Sequence, residues 1–132
     1  VIYIMFLLDN KVHSRKDVEA VLKAPILGDI PKNRKDRTIV VAENDRDGVA
    51  ESFRLLRTNM NFMLSNVKAG GKTIFIGSTI GGEGKTFISI NMATVFALGG
   101  KKTILVGLDL RKPKIYDDFD LPNDIGVVGS IV

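Results

Sequence analysis

The chain has 132 residues, 45% of them apolar, and a formal net charge of +4; this suits one soluble domain with its own core and excludes a disordered tail. It holds no cysteine and one histidine, His13, which excludes disulfides, thiol nucleophiles, cysteine-held zinc or iron–sulfur centres and clustered histidine ligands. Basic and acidic residues are interspersed, without a basic block carrying aromatics, so no nucleic-acid partner is expected.

The first eight residues, "VIYIMFLL", are apolar, whereas a bilayer-spanning helix needs about 20 such residues. Two readings stand: the end of a membrane span, with Lys11, Arg15 and Lys16 following on the cytoplasmic side, or a buried strand or N-terminal helix of the same domain. Ser14 to Leu22 predicts a short helix, with Ser14 as N-cap and Asp17 at the third position to complete a capping box. Pro25 and Pro31 bracket an extended stretch, "PKNRKDR" is a polar connector, and "TIVVAEN" is one more short extended stretch.

From Asp47 to Ser65 the pattern is helical, with Val49, Phe53, Leu56, Met60 and Met63 along one face as core. On its flank Glu51, Arg54 and Arg57 follow at a spacing of three, each shifted by about 60° around the helix. Such a charged edge serves intrahelical ion pairing or an intermolecular contact, and the spacing favours the former. "TIFIGS" then predicts a buried strand. Lys85 to Leu98 predicts a helix closed by Gly99 and Gly100, with Ile88, Met92, Val95 and Phe96 packing inward. "KTILVGLDL" is a second buried strand. Strand, loop, helix, strand is a βαβ unit, so the expected class is α/β: a P-loop NTPase-like, doubly wound parallel sheet with flanking helices.

Between the first strand and its helix lies "STIGGEGKTF". Wrapping a phosphate in backbone N–H groups requires residues without side chains, here Gly81, Gly82 and Gly84, and the positive end of the following helix faces the same anion. Lys85 is placed to reach the outer phosphates and the Thr86 hydroxyl to ligate Mg²⁺. The nucleotide-binding set is Thr79, Ile80, Gly81, Gly82, Glu83, Gly84, Lys85, Thr86 and Phe87, with Arg111 beyond the second strand either a further phosphate contact or a solvent-facing charge. The general pattern wants glycine where this chain has Thr79, so the loop is a variant. Asp109 ends the second strand, where ligands of open parallel sheets sit. It either holds Mg²⁺ and assists proton removal or caps the turn ahead of Pro113.

"STIGGEGKT" and "ILVGLDLRKP", preceded by "ESFRLLRTN" and "APILGDIP", together resemble the cytoplasmic domain of the bacterial tyrosine kinases of capsule and exopolysaccharide export. The resemblance runs from about Lys11 to the C-terminus. It implies a protein at the cytoplasmic face of the bacterial inner membrane, with two spans around an extracytoplasmic domain and a P-loop domain that uses Mg²⁺ and ATP, releasing ADP, to phosphorylate tyrosines of a neighbouring subunit. Residues 1–10 then match the end of the second span and anchor the chain to the membrane. Residues 11–46 match a juxtamembrane linker, and 47–132 the N-terminal part of the kinase domain.

The same resemblance makes Lys85 and Asp109 catalytic, and Thr86 and Asp109 metal ligands. It also makes Glu51, Arg54 and Arg57 an E-x-x-R-x-x-R element joining copies of the chain into a ring or dimer. The polysaccharide export machinery and a cognate phosphatase are the other implied partners. Gly107 replaces the first acid of the family's D-x-D element, and neither a Walker B aspartate nor a tyrosine-rich tail is present, so the domain is expected to be incomplete in these residues. One alternative is a partitioning-type ATPase, against which Ile80 speaks because that class carries a lysine there. The other is a non-catalytic nucleotide-binding assembly module, which Gly107 favours.

Overall fold

The computed structural model describes residues 2–8, 11–42, 44–68, 70–109 and 111–122. The opening apolar run forms α1 (Ile2–Leu7), on which Tyr3, Ile4 and Met5 are exposed; Val1 lies outside the described residues. No helix among the described residues is long and apolar enough to cross a membrane. The second helix, α2 (Arg15–Val21), starts where the capping box places it. The Asp17 carboxylate accepts the N–H groups of Ser14 and His13, each at 2.9 Å, and so satisfies donors that a helix start leaves open.

The core lies between α3 (Gly48–Leu64) and α4 (Lys85–Leu98). On α3, Val49, Ala50 and Phe53 are buried, and Leu56 and Met60 pack against them as the spacing requires. Met63, expected on that face, is exposed instead: no residue of the last turn is buried, and Lys72 Nζ donates to the Leu64 carbonyl at 2.7 Å. Helix α4 is apolar nearly all round, so burial spreads over Ile90, Asn91, Met92, Val95 and Phe96 instead of following one stripe. Ile88, expected to pack inward, is partly buried against the cluster.

A strap from the segment between α2 and α3 completes this core. Val40 and Val41 are buried beside Phe53 and Val95. The strap is fastened by Asn91, a fully buried amide inside an apolar helix. Its Oδ1 accepts the Val40 N–H at 2.8 Å, and its Nδ2 donates to the carbonyls of Thr38 (2.8 Å) and Phe87 (2.9 Å). Further out, Thr38 Oγ1 and Asp118 Oδ1 are bonded at 2.9 Å, which ties the strap to the short α5 (Ile115–Asp118). Lys35 and Arg37 both pair with Asp45, and Lys35 also pairs with Asp47, so the charges of the polar connector close on themselves at the foot of α3.

The βαβ expectation is corrected in one respect: among the described residues there is no strand. The runs 73–78 and 103–109 flank α4 in sequence as expected, and Leu110 lies outside the described residues. A parallel strand needs a neighbour about 4.8 Å away that supplies N–H and C=O groups along its length. No described segment does so for either run. Most of their apolar side chains stay exposed, Phe75 at 87% and Ile104 at 88%, while Ile76 and Leu105 are half-buried.

Candidate phosphate-binding site

The loop between Ser78 and Lys85 is shaped by its glycines. Gly82 and Gly84 have φ of +86° and +89°, a region that a residue with a Cβ enters only at a cost. Gly84 is the N-cap of α4. A Cβ built at Gly81, Gly82 or Gly84 would meet no atom within 4 Å, so backbone conformation at Gly82 and Gly84, and not crowding, is what calls for glycine there. The first N–H groups of α4 have no intrahelical acceptor and carry the positive end of the helix dipole, and Lys85 and Thr86 sit half-buried on that first turn.

The rest of the loop is braced from within. Glu83 Oε2 accepts the N–H of Thr79 at 2.8 Å and of Ile80 at 3.2 Å, while Ser78 Oγ donates to the Ile80 carbonyl at 3.1 Å. Phe87, counted from the sequence with the nucleotide contacts, turns its ring edge-on to Phe53 with centroids 5.8 Å apart. Its side chain belongs to the core, and only its backbone is available to an anion. Beside Thr86 and Phe87 opens a cleft of about 400 Å³ whose walls include Arg37, Thr38, Lys114 and Asp118.

Asp109 does what the plainer of its two readings requires. Its Oδ1 accepts the N–H groups of Arg111 and Lys112, both at 3.2 Å, and so caps the turn ahead of Pro113. The Lys112 N–H is the main cause holding its carboxyl below the ordinary value; desolvation opposes this, and the Arg111 N–H and the charges of Lys85 and Arg111 add to it. The loop lysine and this acid are thus within electrostatic reach of one another. At Gly107, where the resemblance expects another acid, an added Cβ would stand 2.8 Å from Ile115 Cδ1, so a side chain there would require the end of Ile115 to shift.

The charged edge of α3 divides. Glu51 and Arg54 form the intrahelical ion pair that their spacing favours, and Arg54 Nη2 also donates to the Ala42 carbonyl at 2.9 Å. Both line an open cleft of about 440 Å³ together with Asn44, Asp45 and Arg46. Arg57 turns the other way. Its Nη1 donates to the Val95 carbonyl at 2.8 Å, and a Cβ at Gly99 would lie 2.8 Å from that same nitrogen; glycine at 99 makes space for the guanidinium at the end of α4. Sequence reasoning missed Asn91, Thr38 and Asp118 as a structural set, although a lone amide within "FISINMATVF" was a signal that α4 has a polar partner.

No protein-family model matches the chain. It is 34% identical over 100 residues to the tyrosine-protein kinase YwqD of Bacillus subtilis (strain 168), a match covering 76% of this chain and 41% of that protein. To the succinoglycan biosynthesis transport protein ExoP of Rhizobium meliloti (strain 1021) it is 36% identical over 103 residues, 78% of this chain and 13% of ExoP. Among solved structures, the crystal structure of the chimerical protein CapA2B2 superposes with a TM-score of 0.69 at 36% identity, covering 83% of this chain and 46% of that one. The chain therefore spans about two fifths of the length of YwqD and less of the longer relatives. By sequence and by fold, it is a relative of the bacterial tyrosine-protein kinases of capsule and exopolysaccharide systems.

Proposed function

We propose that this chain carries the nucleotide-binding part of an ATP-dependent protein-tyrosine kinase that acts on capsule or exopolysaccharide production. The observation that carries this reading is the loop itself: two glycines at positive φ deliver the chain into α4 with Lys85 and Thr86 on its first turn, in a chain whose relatives are named tyrosine kinases. The amides of Gly81 to Lys85 would take phosphate oxygens, and Lys85 would neutralise their charge. Thr86 and Asp109 would hold Mg²⁺. Among the described residues no cluster of three metal-ligating acids or histidines exists, and two protein oxygens suit a cation that draws the rest of its shell from phosphate and water. When bound, that ion supplies neutralisation of the charge developing on the transferred group.

In the complete protein the γ-phosphoryl group would pass to a tyrosine hydroxyl, with Asp109 positioning the metal or the nucleophile, at the cytoplasmic face of the membrane. Copies of the chain would meet through the α3 edge, where Glu51 and Arg54 face an open cleft. The export machinery and a phosphatase are the further partners this role calls for. Lys85→Ala is expected to abolish Mg-ATP binding in calorimetry, and unchanged affinity would sink the site. In the complete protein, γ-labelled ATP should leave its label on tyrosine. A second reading, a nucleotide-organised assembly module without catalysis, is favoured by glycine in place of an acid at Gly107; it predicts binding and ATP-dependent association without transfer.

A further inference from the structure

A loop that is to bind phosphate faces a difficulty before the phosphate arrives. Its glycines give it the necessary turn but also widen the range of conformations open to its backbone, and every degree of freedom frozen on binding subtracts from affinity. A brace that fixes the loop beforehand removes part of that cost, provided it leaves the phosphate-facing amides alone.

Glu83 meets both conditions. A single oxygen of its carboxylate takes the N–H groups of Thr79 and Ile80, which lie on the approach to the glycines. The span it bridges, 79 to 83, contains Gly81 and the positive-φ Gly82. The Ser78 hydroxyl also donates to the Ile80 carbonyl, so the peptide units on both sides of Ile80 are engaged, one through its N–H and the next through its C=O. The N–H groups of the first turn of α4, where the anion is expected, are not among those Glu83 takes.

We propose that Glu83 is a positioning residue: its carboxylate braces the empty loop from inside, so that the amides of Gly81 to Lys85 are set for a nucleotide phosphate before one binds. This rests on the phosphate-site reading above, and it assigns the residue at 83 a role distinct from touching the nucleotide. The chemistry required is two acceptor positions at the end of a side chain of this length. Glutamine keeps that through its amide oxygen, and alanine does not.

The test uses the full chain in three forms: native, Glu83→Gln and Glu83→Ala. Amide hydrogen exchange without nucleotide is followed at Thr79 and Ile80, and Mg-ATP affinity is measured by calorimetry. Expected is slow exchange at both amides in the native chain and the Gln variant, with about tenfold faster exchange in the Ala variant. The Kd for Mg-ATP should rise about five- to tenfold in Glu83→Ala and stay within about threefold of native in Glu83→Gln, as for an exposed, charge-assisted pair of bonds. The thermal midpoint should not move, which separates loop positioning from a general loss of structure. Unchanged exchange in Glu83→Ala, an affinity there equal to or tighter than native, or no rescue by Gln would each overturn the proposal. A native chain that binds no Mg-ATP would instead overturn the nucleotide site, while the exchange comparison still decides whether Glu83 braces the loop.

Discussion

At its C-terminal end α4 is held by the Arg57 guanidinium on the Val95 carbonyl, with Gly99 making room and Val95 and Phe96 buried beneath. At its N-terminal end the same helix follows the glycine loop, with half-buried Lys85 and Thr86 on its first turn and the Phe87 ring packed on Phe53. A cation sits at the negative end of the dipole and a glycine loop at the positive end of one rod, about 21 Å long for 14 residues. The contrast teaches that the two ends of α4 are fixed by different means, a guanidinium on a backbone carbonyl at one end and a ring contact with a carboxylate-braced loop at the other.

The strongest way to break that arrangement is to empty the core under α4. Phe53→Ala is expected to cost about 3–5 kcal/mol in chemical denaturation, because Phe53 is fully buried and its ring also supports Phe87. Next in size is Asn91→Ala. It strands the buried Val40 N–H and the Thr38 carbonyl, so a loss of about 2–4 kcal/mol is expected; a loss below about 1 kcal/mol would show that the strap is not held by this amide.

Arg57→Ala separates the two ends more finely. Removing one half-buried cation from a helix C-terminus should cost about 1–2 kcal/mol. If Arg57 served only to join copies of the chain, stability of the dilute monomer would be unaffected and only its association would change. The smallest effect belongs to α2, remote from this contrast. The N–H groups of His13 and Ser14 hold the Asp17 carboxyl below its ordinary 3.8. The cap it makes is therefore complete above that value and is lost as pH falls through the lowered folded-state value. A titration of the Asp17 carboxyl by NMR should show the downward displacement, and Asp17→Asn should abolish the pH dependence of α2 helicity.

Much of this was legible in residue order. The glycine spacing and the "GKT" at a helix start announced the loop, and periodicity announced α3 and α4, because both are local signals that a few neighbouring residues carry. Three features were not legible, each for a physical reason. Arg57 faces inward because Gly99 admits it, and that pairing joins positions 42 residues apart through space (99 minus 57). The strap over α4 depends on one amide meeting backbone groups that no pattern marks. The expected strands carry the right residues, but a ladder is a property of two segments, and neither run has a partner among the described residues. Met63 shows the same limit at smaller scale: helical spacing says which face a residue occupies, not how far the neighbouring helix extends along it.

The bond between Thr38 and Asp118 can also be viewed as the closure of a circle. It joins residues 80 positions apart and encloses α3, the glycine loop, α4 and Asp109 within one circuit of chain shut by a hydrogen bond. The entropy of closing such a circuit rises only by about 0.6 kcal/mol for each doubling of its length. The circuit therefore depends only weakly on how many residues it holds, and more on the two that shut it and on the Asn91 amide that holds Thr38 and Val40 beside the clasp. Insertions belong in its exposed bend near Lys68 and Gly70, where the chain can grow without changing the distance between the clasp and the loop it encircles.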